Sequence, residues 1–357
     1  MRRMAAVVAA LCALVVVLVA APGASAQAGS CSGQGGGSYD TGGAPGAGAV
    51  NDPLFSRQWA LDQVNAPEAW ARGVKGAGTV VAVVDTGVDH GHPDLSSKLV
   101  AGQDFVGGDS CAQDENGHGT HVAGISAAVT NNGIGVAGVA PDAQLMPVRV
   151  LDAEGSGSSD DIVSGIRWAA DHGADVINLS LGELPVIGQL ELLNEDIEGA
   201  VDHAWAQGAV VVAAAGNDSF PLCSYPSFAN HAVCVAATDR RGVPSFYSNF
   251  PVNKTMLGFR APGGVGSVFC EDDEDIWSTM WPGSSYDCNG AGAIAGYETL
   301  AGTSMASPQV AGVAALMAGQ GLTNAQIVEK LKATSSNHGA YDPVMGYGIV
   351  DADAATR

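Results

Sequence analysis

Basic side chains are scarce in this sequence. Fifteen Lys and Arg residues face 37 Asp and Glu residues, for a formal net charge of −22. A chain this acidic is repelled by nucleic acids and by anionic membrane surfaces, so neither is an expected partner. The interpretation we favour for the excess acid is the solubility of an exported protein.

Long apolar runs are also absent, with one exception at the N-terminus. The uncharged stretch from Met4 to Ala21 follows two arginines and precedes Pro-Gly and then Ala24-Ser25-Ala26. This order is typical of a secretory signal peptide with an Ala-x-Ala cleavage site, and we assign residues 1–26 to it. A retained membrane anchor is the alternative. No later segment is long enough to span a bilayer, so we expect a secreted, extracellular protein without membrane contact after cleavage.

Cysteine is infrequent, and its number is informative. Removal of the signal peptide takes Cys12 away and leaves six cysteines. An even number in an exported chain predicts three disulfides, for which fifteen connectivities are possible. Proximity in the sequence favours Cys223 with Cys234 and Cys270 with Cys288, which leaves Cys31 for Cys111. A lipid anchor on Cys31 is the weaker alternative, because no large apolar residue precedes it closely.

Residues 27–50 are mostly Gly, Ala, Ser and Gln. Such a composition buries too little apolar surface to pack, so the segment is predicted to be a flexible leader. Residues 51–357 are then predicted to form a single domain, a length that one large α/β domain can reach. We expect it to be a monomer.

Short apolar runs alternate with helical patterns through this domain. Continuous apolar character predicts buried parallel strands, and periodic stretches closed by glycine predict helices between them. The strands are predicted at 79–85, 144–151, 175–180, 210–215 and 232–237, and the helices at 159–172, 194–207 and 305–318. This alternation indicates a layered α/β fold with functional residues at the strand ends.

Three glycine-bracketed motifs supply the groups for nucleophilic catalysis. VAVVDTGVD contains Asp85, NGHGTHVAG contains His118 and GTSMASP contains Ser304. Peptide hydrolysis by serine needs a hydroxyl nucleophile, an imidazole that takes and returns its proton, and a carboxylate that orients the imidazole. Each motif alone is ordinary, since Asp89 or Asp94 competes for the carboxylate role and a serine in such a turn often caps a helix.

A fourth motif, VVVAAAGN, ends at Asn217. A side-chain amide beside the reacting carbonyl stabilises the oxyanion of the transition state, so Asn217 is the candidate donor. Ser304 is predicted to open the helix at 305–318. The positive end of that helix would stabilise the same oxyanion. Pro308 is expected within the first turn or so, where a missing N–H costs little.

The four motifs in this order resemble the subtilisin-like serine proteases, whose chain order Asp, His, Ser is a known mark of the family. The resemblance extends from Asn51 to Asp351. It implies an α/β fold of three layers, with a central, mostly parallel sheet and helices on both faces, and a secreted serine endopeptidase acting on proteins or peptides. No organic cofactor is implied.

The resemblance also implies binding residues. Substrate backbone is expected along Ser180, Leu181 and Gly182, and the first side-chain pocket is expected to be walled by Ala213, Ala214, Ala215 and Gly216. Small apolar walls favour broad specificity with apolar side chains, although the acidic segment after Gly182 can shift the preference. A structural Ca²⁺ is implied at Asp52, Asp94 and Asn132 with the carbonyls of Val129, Ile134 and Val136, a set of oxygen ligands that suits a hard cation.

Two other functions remain open. A chain with this fold but no activity would be a peptide-binding protein. A metal-dependent hydrolase would use His118 and His121, which have the spacing of two ligands on a helix, but no glutamate stands between them as in a HExxH site. The chain also departs from the family in having no room for a folding-assisting pro-domain between signal and catalytic domain.

Overall fold

A parallel sheet of seven strands forms the centre of the protein. The computed structural model describes residues 31, 39, 50–182, 195–266, 273–284, 286 and 294–357. Within these ranges the sheet order is β2-β3-β1-β4-β5-β6-β7, and every neighbouring pair is parallel. The strands are β1 (Val80–Asp85), β2 (Gln103–Asp104), β3 (Gln144–Arg149), β4 (Val176–Leu179), β5 (Val210–Ala214), β6 (Ala232–Thr238) and β7 (Leu257–Pro262).

The five strands predicted from apolar runs are all present, with ends that differ by one or two residues. The prediction missed β2, which has only two residues, and β7, whose apolar character is interrupted by Arg260. That arginine is fully buried, and its guanidinium donates to the carbonyls of Ala237 and Val344. A buried charge that is hydrogen-bonded in this way is compatible with a central strand but leaves no apolar pattern to recognise.

Helices cover both faces of the sheet. Alternate residues of a strand point to opposite faces, so Val81 and Val83 join one apolar cluster while Ala82 and Val84 join another. The three-layer α/β prediction is therefore confirmed. The helices are α1 (Trp59–Gln63), α2 (Ala66–Ala71), α3 (His118–Ala127), α4 (Ser159–Asp171), α5 (Glu195–Ala206), α6 (Thr303–Ala318), α7 (Asn324–Thr334) and α8 (Ala352–Ala355), and a two-stranded antiparallel sheet joins β8 (Ile276–Thr279) to β9 (Tyr297–Leu300).

Helix α6 corrects one detail of the sequence analysis. It begins at Thr303, so Ser304 is its second residue and Pro308 its sixth, beyond the first turn. A proline there leaves the carbonyl of Ser304 without its usual helical N–H partner. The hydroxyl of Ser180, just after β4, donates to that carbonyl at 2.8 Å. The interruption in α6 is thus used to connect the helix to the end of the sheet.

Two of the three predicted disulfides are present, Cys31–Cys111 and Cys223–Cys234. Cys270 and Cys288 lie outside the described residues, as does the signal segment 1–26. The leader is attached to the folded domain at Cys31 and again at Tyr39, whose hydroxyl donates to Asp89 at 2.6 Å. The flexibility of the rest of residues 27–50 stays a prediction. None of the helices in the described ranges is both long and apolar enough to cross a bilayer.

The strand order places a crevice at the ends of β1 and β4. After β1 the chain builds β2 and β3 on one side of it, and then returns to place β4 on the other side. In open parallel sheets, ligands bind at the carboxyl ends of the strands where the order reverses in this way. Asp85 ends β1 and Ser180 follows β4, so this crevice is where the candidate residues meet.

Candidate active site

Asp85 and His118 form the centre of the site. Asp85 is fully buried at the end of β1, and its Oδ1 lies 2.7 Å from Nδ1 of His118. The same oxygen accepts the backbone N–H of Thr86 at 2.8 Å. His118 is the first residue of α3, and Gly117 before it has φ of +112°, a conformation that favours glycine. The turn at Gly117 therefore aims the imidazole at the strand end.

A second carboxylate, which the sequence analysis missed, supports this turn. Asp114 is fully buried and accepts hydrogen bonds from the backbone N–H groups of Asn116, Gly117 and Thr120 and from the hydroxyls of Thr86 and Thr120. It thus connects the end of β1 to the start of α3. Asp114 stands three residues before the N-cap residue Gly117, so the ordinary capping signal does not reveal it.

Opposing effects act on the pKa of His118. Burial disfavours the imidazolium, but the charge of Asp85 and the hydrogen bond to it outweigh burial, so the pKa of His118 is raised above its ordinary value. A base with this partner holds a proton more firmly than a free imidazole does. Asp89, the competing carboxylate, instead bonds Tyr39 and the N–H of Gly91.

Ser304 lies at the N-terminus of α6, beside the end of β4. Its Oγ donates to the carbonyl of Ser180 at 3.1 Å. The side chain of Ser180 also hydrogen-bonds Asn178 and Ser307, so its position is well determined. The first N–H groups of α6 have no partner within the helix and carry its positive dipole end, which makes this a favourable place for a developing negative charge.

The amide of Asn217 is oriented by Thr303. Its Oδ1 accepts the backbone N–H of Thr303 at 2.9 Å and the hydroxyl of Thr303 at 3.0 Å. With the oxygen committed to α6, the Nδ2 donor is left for the cleft, which Asn217 lines together with Ser304 and His118. The backbone of Gly216 adds a further link, since its N–H donates to the Thr303 hydroxyl.

His118, Ser304 and Asn217 line one cleft of about 830 Å³, whereas Asp85 is fully buried and is not part of its lining. Of the predicted substrate-binding residues, Ser180, Leu181, Gly182, Ala214 and Gly216 form part of its wall. Ala213 and Ala215 do not, because alternate residues of β5 point away from the cleft and both are fully buried in apolar clusters. The cleft also contains residues not predicted from the sequence, among them Thr86, Asn116, Leu151, Gly155, Ser156, Gly157, Tyr225 and Tyr286.

His121 has a role different from that of His118. It is fully buried, its Nε2 donates to the carbonyl of Glu298, and burial lowers its pKa to about 3. In the part of the chain that the structure describes, His, Cys, Asp and Glu do not gather in any group of three or more suited to a metal ion. Within the described residues, His118 and His121 therefore have no third side chain with which to hold a metal ion.

The predicted calcium residues gather around the loop after α3. Asp52 accepts the backbone N–H groups of Asn131 and Asn132, and Asn132 donates its side-chain amide to Asp94 at 2.6 Å. Asp94 also accepts the hydroxyl of Tyr297. Burial is the main cause that raises the pKa of both carboxyls, to about 6 for Asp94. Two buried carboxylates beside one loop are an arrangement that a cation would stabilise.

The carbonyls of the same loop test whether the residues fit such an ion. Among the described residues, none donates a hydrogen bond to the carbonyl oxygens of Val129, Ile134 or Val136. Val136 is fully buried, and a buried carbonyl is rarely left without a partner. Carboxylate, amide and free carbonyl oxygens together match the ligand set of Ca²⁺, so the residues present fit the ion.

The fold and the site together are those of a serine-type peptidase built on a parallel α/β scaffold. The model of the subtilase family matches residues 76–348, and the chain belongs to that family. It is 42% identical over 308 residues to thermitase from Thermoactinomyces vulgaris, covering 86% of this chain and 99% of thermitase. It is 42% identical over 301 residues to subtilisin Savinase from Lederbergia lenta, covering 84% and 98%.

A solved structure of a protease from Pseudoalteromonas arctica superposes with a TM-score of 0.73 at 36% identity, covering 87% of this chain and 99% of that one. The alignments cover almost the whole length of thermitase, of Savinase and of the Pseudoalteromonas protease. Together with the family match, these relatives make this chain a serine-type endopeptidase of the subtilase family.

Proposed function

We propose that this chain is a secreted endopeptidase in which Ser304 is the nucleophile, His118 the general base and then acid, Asp85 the orienting carboxylate and Asn217 the oxyanion donor. The observation that carries the proposal is the 2.7 Å contact between His118 and Asp85 in a cleft that Ser304 and Asn217 also line. An inactive peptide-binding protein would have no need for a buried carboxylate on that imidazole.

In the proposed reaction, the hydroxyl of Ser304 turns from the Ser180 carbonyl to His118 as substrate binds. Resting enzymes often hold catalytic hydrogen bonds in looser arrangements than the substrate complex. His118 takes the proton while Oγ attacks the peptide carbonyl, and the imidazolium is stabilised by Asp85. His118 then gives the proton to the leaving amine, and water repeats the sequence to release the acid.

The oxyanion is held by two kinds of donor. The Nδ2 group of Asn217 comes from the end of β5, and the N–H of Ser304 comes from the positive end of α6. Both groups are positioned before the reaction, because Thr303 fixes the Asn217 amide and α6 fixes the backbone. Such donors act most strongly on the charge that develops in the transition state.

Specificity is proposed to be broad, with an apolar first pocket. Leu181, Ala214 and Gly216 offer small or apolar surface, and a substrate held by its backbone along Ser180 to Gly182 gains affinity with little selection among side chains. A protein or peptide is therefore the proposed partner.

Calcium and export complete the proposal. Asp52, Asp94 and Asn132 with the carbonyls of Val129, Ile134 and Val136 would hold Ca²⁺, which would stabilise the loop after α3 and take no part in the reaction. Residues 1–26 would direct secretion, and N-terminal sequencing of exported protein would test that assignment.

The decisive experiment is labelling with a serine-directed phosphonate. We expect modification of Ser304 and complete loss of proteolysis, while a chelator at low temperature leaves activity intact. Asp85→Asn should slow labelling strongly, whereas Asp89→Asn, the matched control, should label normally. Loss of activity to the chelator with Ser304 unmodified would favour the metal-dependent alternative instead.

A further inference from the structure

We propose that Tyr286 is a specificity-determining residue, whose ring walls the cleft beside His118 and contacts the substrate side chain that lies over the imidazole. The proposal rests on the proposed function, since it takes His118 and Ser304 as the reacting groups. It adds a preference for apolar side chains at the substrate residue next to the one in the first pocket.

Tyr286 comes from the segment between β8 and β9 and lines the same cleft as Asn116, His118 and Ser304. The residue is 41% exposed, so more than half of its surface is already packed. A large aromatic side chain that is partly free in a binding cleft offers contact area at little cost in conformational entropy. The position of Tyr286 thus suits contact with substrate.

Three hydroxyl groups, two on β8 and one on Ser284 after it, bind this part of the chain to α3 and to the turn before α3. Ser278 donates to the carbonyl of His121 and Thr279 to that of Thr120, both at 2.7 Å. Ser284 donates to the carbonyl of Asn116 at 2.6 Å and accepts the backbone N–H of Tyr286 at 3.1 Å. The aromatic residue is therefore held in a defined place relative to the catalytic imidazole.

Gly117 makes this close approach possible. A Cβ atom at this position would lie 2.4 Å from Oγ of Ser284 and 2.6 Å from Sδ of Met280. The turn that aims His118 at Asp85 thus also leaves room for the segment that carries Tyr286. One local conformation serves both the catalytic base and the wall beside it.

The chemistry of the wall favours an apolar partner. Burial and the negative charge of Asp85 raise the pKa of the Tyr286 hydroxyl, so the phenol stays neutral under working conditions. A neutral ring gains most by packing against an aromatic or long aliphatic side chain. We therefore expect selection for such side chains at the substrate residue over His118, and not for acidic or basic ones.

The test is a fluorogenic peptide library varied at each position on both sides of the cleaved bond. Tyr286→Ala should lower kcat/KM for apolar side chains by about 3- to 10-fold at one position adjacent to the first-pocket residue. Preference at the first-pocket residue itself should not change. Tyr286→Phe should keep the parent profile, and Ser284→Ala should produce a smaller change at the same position because it loosens the segment.

Two controls make the outcome clear. Tyr341→Ala removes an aromatic ring that is not part of the cleft lining and should leave the profile unchanged. Titration with a small serine-directed phosphonate counts working sites in every variant. Two results would overturn the inference and leave the proposed function standing. In one, Tyr286→Ala titrates fully and keeps the specificity profile of the parent. In the other, it only gains selection for basic side chains. Failure of the parent enzyme to label at Ser304 would overturn the proposed function and the inference with it.

Discussion

Replacement of Asn217 would separate its proposed catalytic role from its structural one. Asn217→Leu removes the Nδ2 donor and also the acceptor for the N–H and hydroxyl of buried Thr303. Two lost hydrogen bonds in a buried place cost about 2–3 kcal/mol of unfolding free energy. A domain with about 5–15 kcal/mol of stability stays folded after such a loss, so unfolding explains only a small decrease in activity.

The expected loss of kcat is much larger than the decrease in activity that unfolding would cause. We expect kcat to fall by about 10² to 10³ with little change in KM, a magnitude taken over from subtilisin, where the equivalent amide was removed. The KM should stay nearly constant, because the proposed donor acts on the oxyanion more than on the resting carbonyl. Steady-state kinetics on a peptide substrate, with concentrations corrected by active-site titration, measure both constants.

Asn217→Asp is the matched variant. Its carboxylate still accepts from Thr303, so the melting temperature should stay closer to that of the parent than in Asn217→Leu. It has no N–H to donate and brings negative charge to the oxyanion, so kcat should fall at least as far. A folded Asn217→Asp enzyme with the kcat of the parent would refute the oxyanion role. A loss of activity that simply follows the unfolded fraction would show that Asn217 only caps the turn.

Three further predictions follow from the same contacts. Because the pKa of His118 is raised by Asp85, the acid limb of kcat/KM should lie above the ordinary imidazole value of about 6.5, and Asp85→Asn should move it down while reducing activity by about 10⁴. Added Ca²⁺ should raise the Tm, since it binds the folded chain preferentially, and Asp94→Ala should remove most of that gain without changing the chemical step. Replacing Cys223 and Cys234 with Ala should lower the unfolding free energy by about 3 kcal/mol on chain-entropy grounds, as the disulfide closes an interval of 11 residues, which chemical denaturation would measure.

The pH prediction has a definite sign, and the calcium prediction has a matched control. The raised pKa of His118 in the folded state means that its pair with Asp85 stabilises the fold fully below the ordinary pKa, and that this contribution is lost as pH rises through the folded value. An acid limb that stays in place in Asp85→Asn would contradict the pairing. Asp142→Ala removes an exposed carboxylate and should leave the calcium response unchanged, whereas an unchanged response in Asp94→Ala would refute that ligand.

Much of the fold was evident from local patterns. Continuous apolar runs such as Val210–Ala214 predict strands buried on both faces, and the helices between them end at glycines. The pairs Cys31–Cys111 and Cys223–Cys234 followed from cysteine number and spacing. The alternation of β5 would also have separated Ala213 and Ala215 from Ala214, because side chains two residues apart share a face.

The sequence by itself determined the chemical groups, since each of Asp85, His118, Ser304 and Asn217 stands in a motif that reports its own strand end or helix start. Only the tertiary structure decided how these groups are oriented. Thr303 orients the amide of Asn217, which lies 86 residues away in the chain. Ser284 donates a hydrogen bond to the carbonyl of Asn116, which lies 168 residues away. Periodicity and motif spacing reflect interactions within a few residues, whereas hydrogen bonds between distant segments arise only when packing of the sheet and helices brings those segments together.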